Sequence, residues 1–183
     1  MDGTLLKSDK TISPNTAASL IEANKKGQSI CLCTGRGLAE LKDYEGELDF
    51  CDYGILLSGC LIYDFKNDQP LEVHSFDTDV FTQMMNIVKK EDVMLYLLDS
   101  SHSIASQKDV ENMSCYNMAI YQSMFESRAF IVEDIYEYAE VHKDEILKFC
   151  LYNPSVDAMN QLLKKLEVFP VSCAVVEETA IEV

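Results

Sequence analysis

The sequence predicts a mixed α/β fold in two parts, a parallel-sheet segment followed by an α+β module. In the first part a helix with clear start and stop signals lies among short apolar runs, and helices that alternate with apolar strands indicate a parallel sheet. In the second part, residues 71–76 alternate between apolar and polar, which is typical of an antiparallel strand with one exposed face. The sequence pattern changes from short apolar runs to alternating apolar and polar residues near residues 64–66. We therefore expect one domain at residues 1–64 and a second at residues 65–183.

The first part is predicted to hold two helices and two buried strands. Ser13 and Pro14 mark the start of the first helix, and Gly27 follows its end, because a cap, an N1 proline and a following glycine are the usual punctuation. The other three elements are predicted at residues 29–33 (strand), 38–44 (short helix) and 55–57 (strand).

The second part is predicted to alternate strands and helices. Asp77 or Asp79 can cap a helix over residues 80–90, and an apolar stripe after Pro154 indicates another helix, ending near Leu166. A further helix is predicted over residues 112–125. Strands are predicted at residues 71–76, 93–98, 103–105, 146–152, 171–176 and 180–183.

Composition limits the classes of partner. The chain has 183 residues, a formal net charge of −16 and a hydrophobic content of 48%, which fit a soluble globular protein. A polyanion would be repelled by so acidic a chain, so we expect no nucleic-acid partner. No stretch approaches the length of a membrane span, and no membrane partner is expected. A small phosphorylated molecule remains a compatible partner of this acidic chain. A few hydrogen-bond donors at its binding site can reverse the sign of the local electrostatic potential.

The seven cysteines indicate a reducing compartment. They occur in no metal-ligand spacing, and their odd number is unlike a secreted disulfide framework. A cytoplasmic location is therefore expected. Cys31 and Cys33 alternate in an apolar run and are predicted to be small buried core residues, as are Cys51 and Cys60.

Three short motifs carry the chemistry. They are Asp2-Gly3-Thr4, then Thr34-Gly35-Arg36 after the first predicted strand, then Ser58-Gly59 after the second. Each motif alone is an ordinary turn sequence. In an open α/β sheet, however, ligands bind beyond the carboxyl ends of the strands. The hydroxyl of Thr34 and the neighbouring backbone N–H groups are therefore candidates for holding a phosphate.

The three motifs in this order resemble the haloacid dehalogenase superfamily, specifically its Cof-type phosphatases with a C2-type cap. The resemblance extends over essentially the whole chain. It implies an incomplete Rossmann-like parallel-sheet core over residues 1–64 and an α+β cap domain over residues 65–183. The cap of such proteins faces the active site and selects the substrate.

The resemblance also implies roles for single residues. Asp2 matches the family's acid/base aspartate, whose main-chain carbonyl is also a ligand of Mg²⁺. Thr34 and Gly35 match the phosphate-binding loop. Arg36 either contacts the phosphate or braces the loop, and both alternatives stay open. The turn residues Gly3 and Thr4 are expected to support the loop.

The sequence departs from the family pattern in several places. The nucleophilic Asp would stand two positions before Asp2, and the family's phosphate-balancing Lys and acidic Mg²⁺ pair would follow the cap. The chain is therefore expected to be truncated at both ends and inactive as given. Ser58-Gly59-Cys60 replaces the family's Asn-Gly-Ala, so Ser58 and Gly59 are assigned only a loop-supporting role.

The sequence is compatible with two candidate functions. One is a Mg²⁺-dependent hydrolase of small phosphorylated metabolites such as sugar phosphates. The other is a non-catalytic binding or interaction module derived from a cap. The oligomeric state is not predicted.

Overall fold

The computed structural model describes residue 1 and residues 3–183, and it divides the chain into two compact units, residues 1–74 and residues 75–183. Both combine helices with strands, so the predicted mixed α/β class is confirmed. The division falls after His74 and not after residue 64, which corrects the predicted boundary. The reason is that the strand Gln69–Val73 pairs with Leu61–Asp64 in the first sheet.

The first unit is built on a four-stranded sheet. Its strands lie in the order β1-β2-β3-β4, with β1 and β2 parallel and the other pairs antiparallel. A small apolar cluster of Leu6, Ile12 and Tyr44 lies beside the N-terminal turn. In chain order the elements are α1 (Pro14–Lys25), β1 (Cys31–Cys33), α2 (Leu38–Leu41), β2 (Tyr53–Leu56), β3 (Leu61–Asp64) and β4 (Gln69–Val73).

The predicted start signals of α1 are confirmed, but α1 is less buried than a core helix would be. Ser13 caps the helix by accepting the Thr16 N–H at 3.1 Å, and Pro14 is its first residue. No residue of α1 is buried.

Cys31 and Cys33 of β1 are exposed. The prediction that these two cysteines are buried is wrong, because β1 is an edge strand of the described sheet.

The second unit is built on a six-stranded sheet with helices packed against it. The strand order is β7-β6-β5-β8-β10-β9, and β6–β7 is its one parallel pair. The sheet and the helices α3, α6 and α7 share one apolar core. The elements are α3 (Thr78–Val88), β5 (Met94–Leu98), β6 (Ser103–Ser106), α4 (Gln107–Glu111), α5 (Gln122–Arg128), β7 (Phe130–Val132), α6 (Ile135–Val141), β8 (Lys148–Tyr152), α7 (Val156–Leu166), β9 (Ala174–Val176) and β10 (Ala180–Glu182).

The single helix predicted over residues 112–125 is wrong. The segment forms two short 3₁₀ turns, and α5 begins only at Gln122. Asn117 lies between them with φ of 62°. A left-handed residue interrupts an α-helix, and asparagine is one of the few residues that adopt this conformation readily.

The buried carboxylate of Asp52 connects several segments of the first unit. Its Oδ2 accepts the Ile30 N–H at 2.7 Å and the Asn24 side-chain amide at 2.9 Å, and its Oδ1 pairs with Lys66. The Lys66 ammonium, the Ile30 N–H and the Asn24 amide hold the pKa of the Asp52 carboxyl below its ordinary value. The folded state therefore favours the ionised form.

The Asp52→Asn variant is expected to lower the urea midpoint at pH 7, with a smaller effect at acidic pH. Because the folded pKa lies below the unfolded one, the stabilisation is fully present above the unfolded pKa and is lost as pH falls through the folded pKa. The measurement is urea unfolding at pH 7 and near pH 3. Asp49→Asn is the control, since Asp49 is exposed. A constant difference between wild type and Asp52→Asn at both pH values would contradict this account.

Candidate phosphate-binding site

The two motif loops of the first sheet meet at the carboxyl ends of parallel strands. The Thr34 N–H donates to the Ile55 carbonyl at 2.9 Å, and the Ser58 N–H donates to the Thr34 carbonyl at 3.3 Å. The Leu57 N–H donates to the Arg36 carbonyl at 3.1 Å. Three backbone hydrogen bonds therefore hold the loop after β1 against the loop after β2.

Thr34 is half-buried at the start of its loop. Its Oγ1 accepts the Arg36 N–H at 3.2 Å. A hydroxyl has one hydrogen to donate besides the lone pairs that accept, so the Thr34 hydrogen can still point to an external acceptor. This geometry suits a donor to a phosphate oxygen.

The backbone N–H groups after Thr34 are less available than the sequence predicts. The Arg36 N–H donates to Thr34, and the Gly37 N–H donates to the Glu40 carboxylate at 2.8 Å. Helix α2, which begins next, has only four residues, and so short a helix contributes little dipole. The Thr34 hydroxyl is therefore a better candidate donor to a phosphate than the N-terminus of α2.

Arg36 braces its loop through Tyr44. Its Nη1 donates to the Tyr44 hydroxyl at 3.4 Å, and the guanidinium carbon lies 5.4 Å from the centroid of the Tyr44 ring. Tyr44 also packs in the small cluster with Leu6 and Ile12. These contacts support the bracing alternative for Arg36. The sequence analysis missed Tyr44, because nothing in its local pattern separates it from an ordinary aromatic residue of a short helix.

The loop after β2 has an unusual backbone. Leu57, Ser58 and Gly59 all have positive φ, at 50°, 57° and 107°. Left-handed backbone costs a residue other than glycine of order 1 kcal/mol, and strain of this kind concentrates at functional loops. Leu57 is fully buried whereas Ser58 is exposed, so burial of Leu57 helps to hold the Ser58 loop in place.

The N-terminal motif is described only in part. Asp2, the candidate acid/base residue and main-chain metal ligand, lies outside the described residues. Gly3 has φ of 68°, and the Thr4 N–H donates to the Met1 carbonyl at 3.2 Å, as do the N–H groups of Leu5 and Leu6. The segment after Asp2 is therefore a tight turn that leads into the Leu6 cluster.

Candidate metal ligands are sparse in the described part of the chain. Among residue 1 and residues 3–183, no group of three or more His, Cys, Asp or Glu side chains is arranged to hold a metal ion. None of the helices in that part of the chain is long and apolar enough to cross a membrane.

A parallel-strand edge that presents a threonine hydroxyl beside two interlocked loops is the place where an open α/β sheet binds its ligands. The model of the haloacid dehalogenase-like hydrolase family matches residues 1–183. The chain belongs to this family.

The relatives found by sequence and by structure include phosphatases. The chain is 30% identical over 94 residues to the 5-amino-6-(5-phospho-D-ribitylamino)uracil phosphatase YitU of Bacillus subtilis; the match covers 51% of this chain and 35% of that protein. A haloacid dehalogenase-like hydrolase from B. subtilis superposes with a TM-score of 0.80 at 15% identity, over 99% of this chain and 70% of the other. A subclass IIB sugar phosphatase of the superfamily gives a TM-score of 0.71 at 15% identity, over 100% of this chain and 66% of the other.

Proposed function

We propose that this chain carries the phosphate-binding part and the cap of a Mg²⁺-dependent phosphomonoester hydrolase of small phosphorylated metabolites such as sugar phosphates. Family membership and the sugar phosphatase among the structural neighbours support this proposal. The observation that carries it is the pair of interlocked loops at Thr34 and Ser58, with the Thr34 hydroxyl hydrogen left to donate.

Each residue of the loops has one task in this proposal. The Thr34 hydroxyl donates to a phosphate oxygen, and Gly35 lets the backbone approach the phosphate closely. Arg36, braced by Tyr44, keeps the loop in shape. Gly3 and Thr4 shape the turn after Asp2, and Ser58 and Gly59 support the loop from the neighbouring strand.

Asp2 is proposed to protonate the leaving alcohol and later to remove a proton from water. When bound, Mg²⁺ would neutralise phosphate charge. The Asp2 main-chain carbonyl is its one proposed ligand here, since the described side chains offer no cluster for it. Residues 75–183 are proposed to be the cap.

The 183-residue chain is expected to bind phosphate without hydrolysing esters. The aspartyl-phosphate route needs a nucleophilic Asp carboxylate, and none of the described residues is proposed for that role. The test incubates the chain with p-nitrophenyl phosphate and MgCl₂ and follows release of p-nitrophenol. No Mg²⁺-dependent release is expected. Turnover that is abolished by Asp2→Ala or by Thr34→Ala would overturn the expected inactivity.

The same preparation separates the hydrolase proposal from the non-catalytic alternative. Inorganic phosphate is titrated into the chain in a calorimeter. Saturable binding that Thr34→Val weakens supports the phosphatase assignment. A chain that is folded but binds no phosphate supports the non-catalytic module.

A further inference from the structure

The second unit contains a cavity of about 670 Å³ at one end of its six-stranded sheet. The cavity lies where β5 begins and β6 ends, and α4 and α6 supply further lining residues. Every lining residue belongs to residues 75–183, so the second unit forms the cavity by itself. The volume lies in the range of small-molecule binding sites. The lining includes a lysine, a buried aspartate and two tyrosines: Lys89, Asp109, Tyr116 and Tyr136.

Asp109 brings a carboxylate to the cavity although only 9% of the residue is exposed. Its backbone N–H donates to the Ser106 hydroxyl at 3.0 Å, which fixes Asp109 in the first turn of α4. Burial raises the pKa of the Asp109 carboxyl, and the Ser106 hydroxyl and the Lys108 charge oppose that rise. An uncompensated carboxylate is costly in such a place, so a positively charged group that enters the cavity is favoured beside Asp109.

Two tyrosines line the same cavity and lie close enough to Asp109 for its charge to act on both. The Tyr116 hydroxyl donates to the Asp92 Oδ1 at 3.1 Å. Burial raises the pKa of Tyr116, and Asp92 and Asp109 add to the rise. Burial, Asp109 and Asp134 together raise the pKa of Tyr136 to about 12. Both phenols therefore stay neutral near pH 7, and their rings give the cavity electron-rich walls.

Lys89 is an example within the chain of an ammonium group held at this site. Its Nζ lies 5.5 Å from the centroid of the Tyr136 ring, within the distance of a cation–π contact. The lining holds six acidic residues but only two lysines. The potential inside the cavity is therefore negative, so that a further cation is attracted and an anion is repelled.

The tyrosine rings favour an organic cation over a hydrated metal ion. A small divalent ion such as Mg²⁺ gives up its water ligands reluctantly, and aromatic walls offer it no oxygen ligands in exchange. An alkylammonium group is attracted by the ring faces, and its methylene groups lose apolar surface to water when they pack on them.

We infer that this cavity binds a primary aliphatic amine, whose ammonium group donates to Asp109 and whose alkyl chain packs on Tyr116 and Tyr136. A diamine suits the negative potential better than a monoamine, because its second charge is also attracted. The inference goes beyond the phosphomonoester hydrolase proposal and does not depend on it, since all of its residues lie in the second unit and none contacts a phosphate in that proposal.

The experiment titrates the ¹⁵N-labelled 183-residue chain at pH 8 in about 150 mM NaCl, which screens exposed charges. The probes are 1,4-diaminobutane, the uncharged 1,4-butanediol of the same chain length, and MgCl₂. Asp109→Asn and Lys89→Met are compared with the control Asp157→Asn. Asp157 is a matched control because it is an exposed acidic residue in the first turn of α7, away from the cavity lining.

The diamine is expected to give saturable shifts at residues 108–109 and 134–136, and the diol and MgCl₂ are not. Asp109→Asn should raise the diamine Kd at least about tenfold, the loss expected for one charge-assisted hydrogen bond. It should also keep or raise the melting temperature, since it removes a buried charge. Lys89→Met should lower the Kd, because it removes a competing positive charge, and Asp157→Asn should leave the Kd within about twofold.

Lys89→Met tests the sign of the charge in the cavity independently of Asp109. A higher diamine Kd in this variant would overturn the inference. An unchanged Kd in folded Asp109→Asn, or equal shifts of residues 108–109 with MgCl₂, would overturn it as well. None of these results bears on the phosphate-site assignment, which is tested at residues 34–36 with inorganic phosphate.

Discussion

Replacing Phe149 with alanine is expected to lower the free energy of unfolding of the second unit by about 3–5 kcal/mol. Phe149 is fully buried in β8 at the centre of the six-stranded sheet. Its ring centroid lies 5.4 Å from that of Phe76 and 6.1 Å from that of Phe81. Alanine would remove these ring contacts and leave a cavity in the core between the sheet and its helices.

The loss is large against a typical total stability of about 5–15 kcal/mol. Chemical unfolding followed by far-UV circular dichroism measures it. Phe130→Ala is the matched control, because Phe130 also lies in a strand of this sheet but is 53% exposed. The control should cost less than about 1 kcal/mol. Equal losses in the two variants would show that the second unit has no single core centred on β8.

The long elements could be predicted because several local signals coincide in them. Ser13 with Pro14 begins α1, Asp77 caps α3 through the N–H groups of Asp79 and Val80, and Ser155 caps α7. Each of these helices also has apolar residues at helical spacing. Where caps and periodicity agree, tertiary contacts rarely override them.

The failures occur where a distant contact or one backbone angle decides the structure. The strand β4 looks like the start of the second part, yet its partner is β3 of the first sheet. Asn117 breaks the predicted helix with one left-handed residue. Cys31 and Cys33 lie in an apolar run, but burial depends on what packs on the strand, and no local pattern reports that.

The candidate site was predicted in part. The order of motifs indicates that Thr34-Gly35-Arg36 and Ser58-Gly59 lie at one sheet edge, and the structure brings these two loops together. The sequence could not show that the Arg36 and Gly37 N–H groups are already used within the loop. It also could not show that Tyr44 braces Arg36, because that contact depends on how the chain returns after α2.

Removing the hydroxyl of Thr34 is expected to weaken phosphate binding at least about tenfold. Valine keeps the volume of threonine but can neither donate to phosphate nor accept the Arg36 N–H, so it removes one charge-assisted hydrogen bond and one contact that shapes the loop. Thr34→Ser keeps the hydroxyl and should bind phosphate within about twofold of wild type. Thr16→Val serves as the control, since Thr16 is an exposed helix residue whose hydroxyl contacts Ser13.

The most direct test of the phosphate-site assignment is the amide ¹H–¹⁵N spectrum of the 183-residue chain during a titration with inorganic phosphate. The largest saturable shifts are expected at residues 34–36 and 57–59, the two loops joined by backbone hydrogen bonds. These shifts should need at least about tenfold more phosphate in Thr34→Val and should be kept in Thr34→Ser. Saturable shifts confined to other parts of the chain, or an identical titration curve for Thr34→Val, would contradict the assignment.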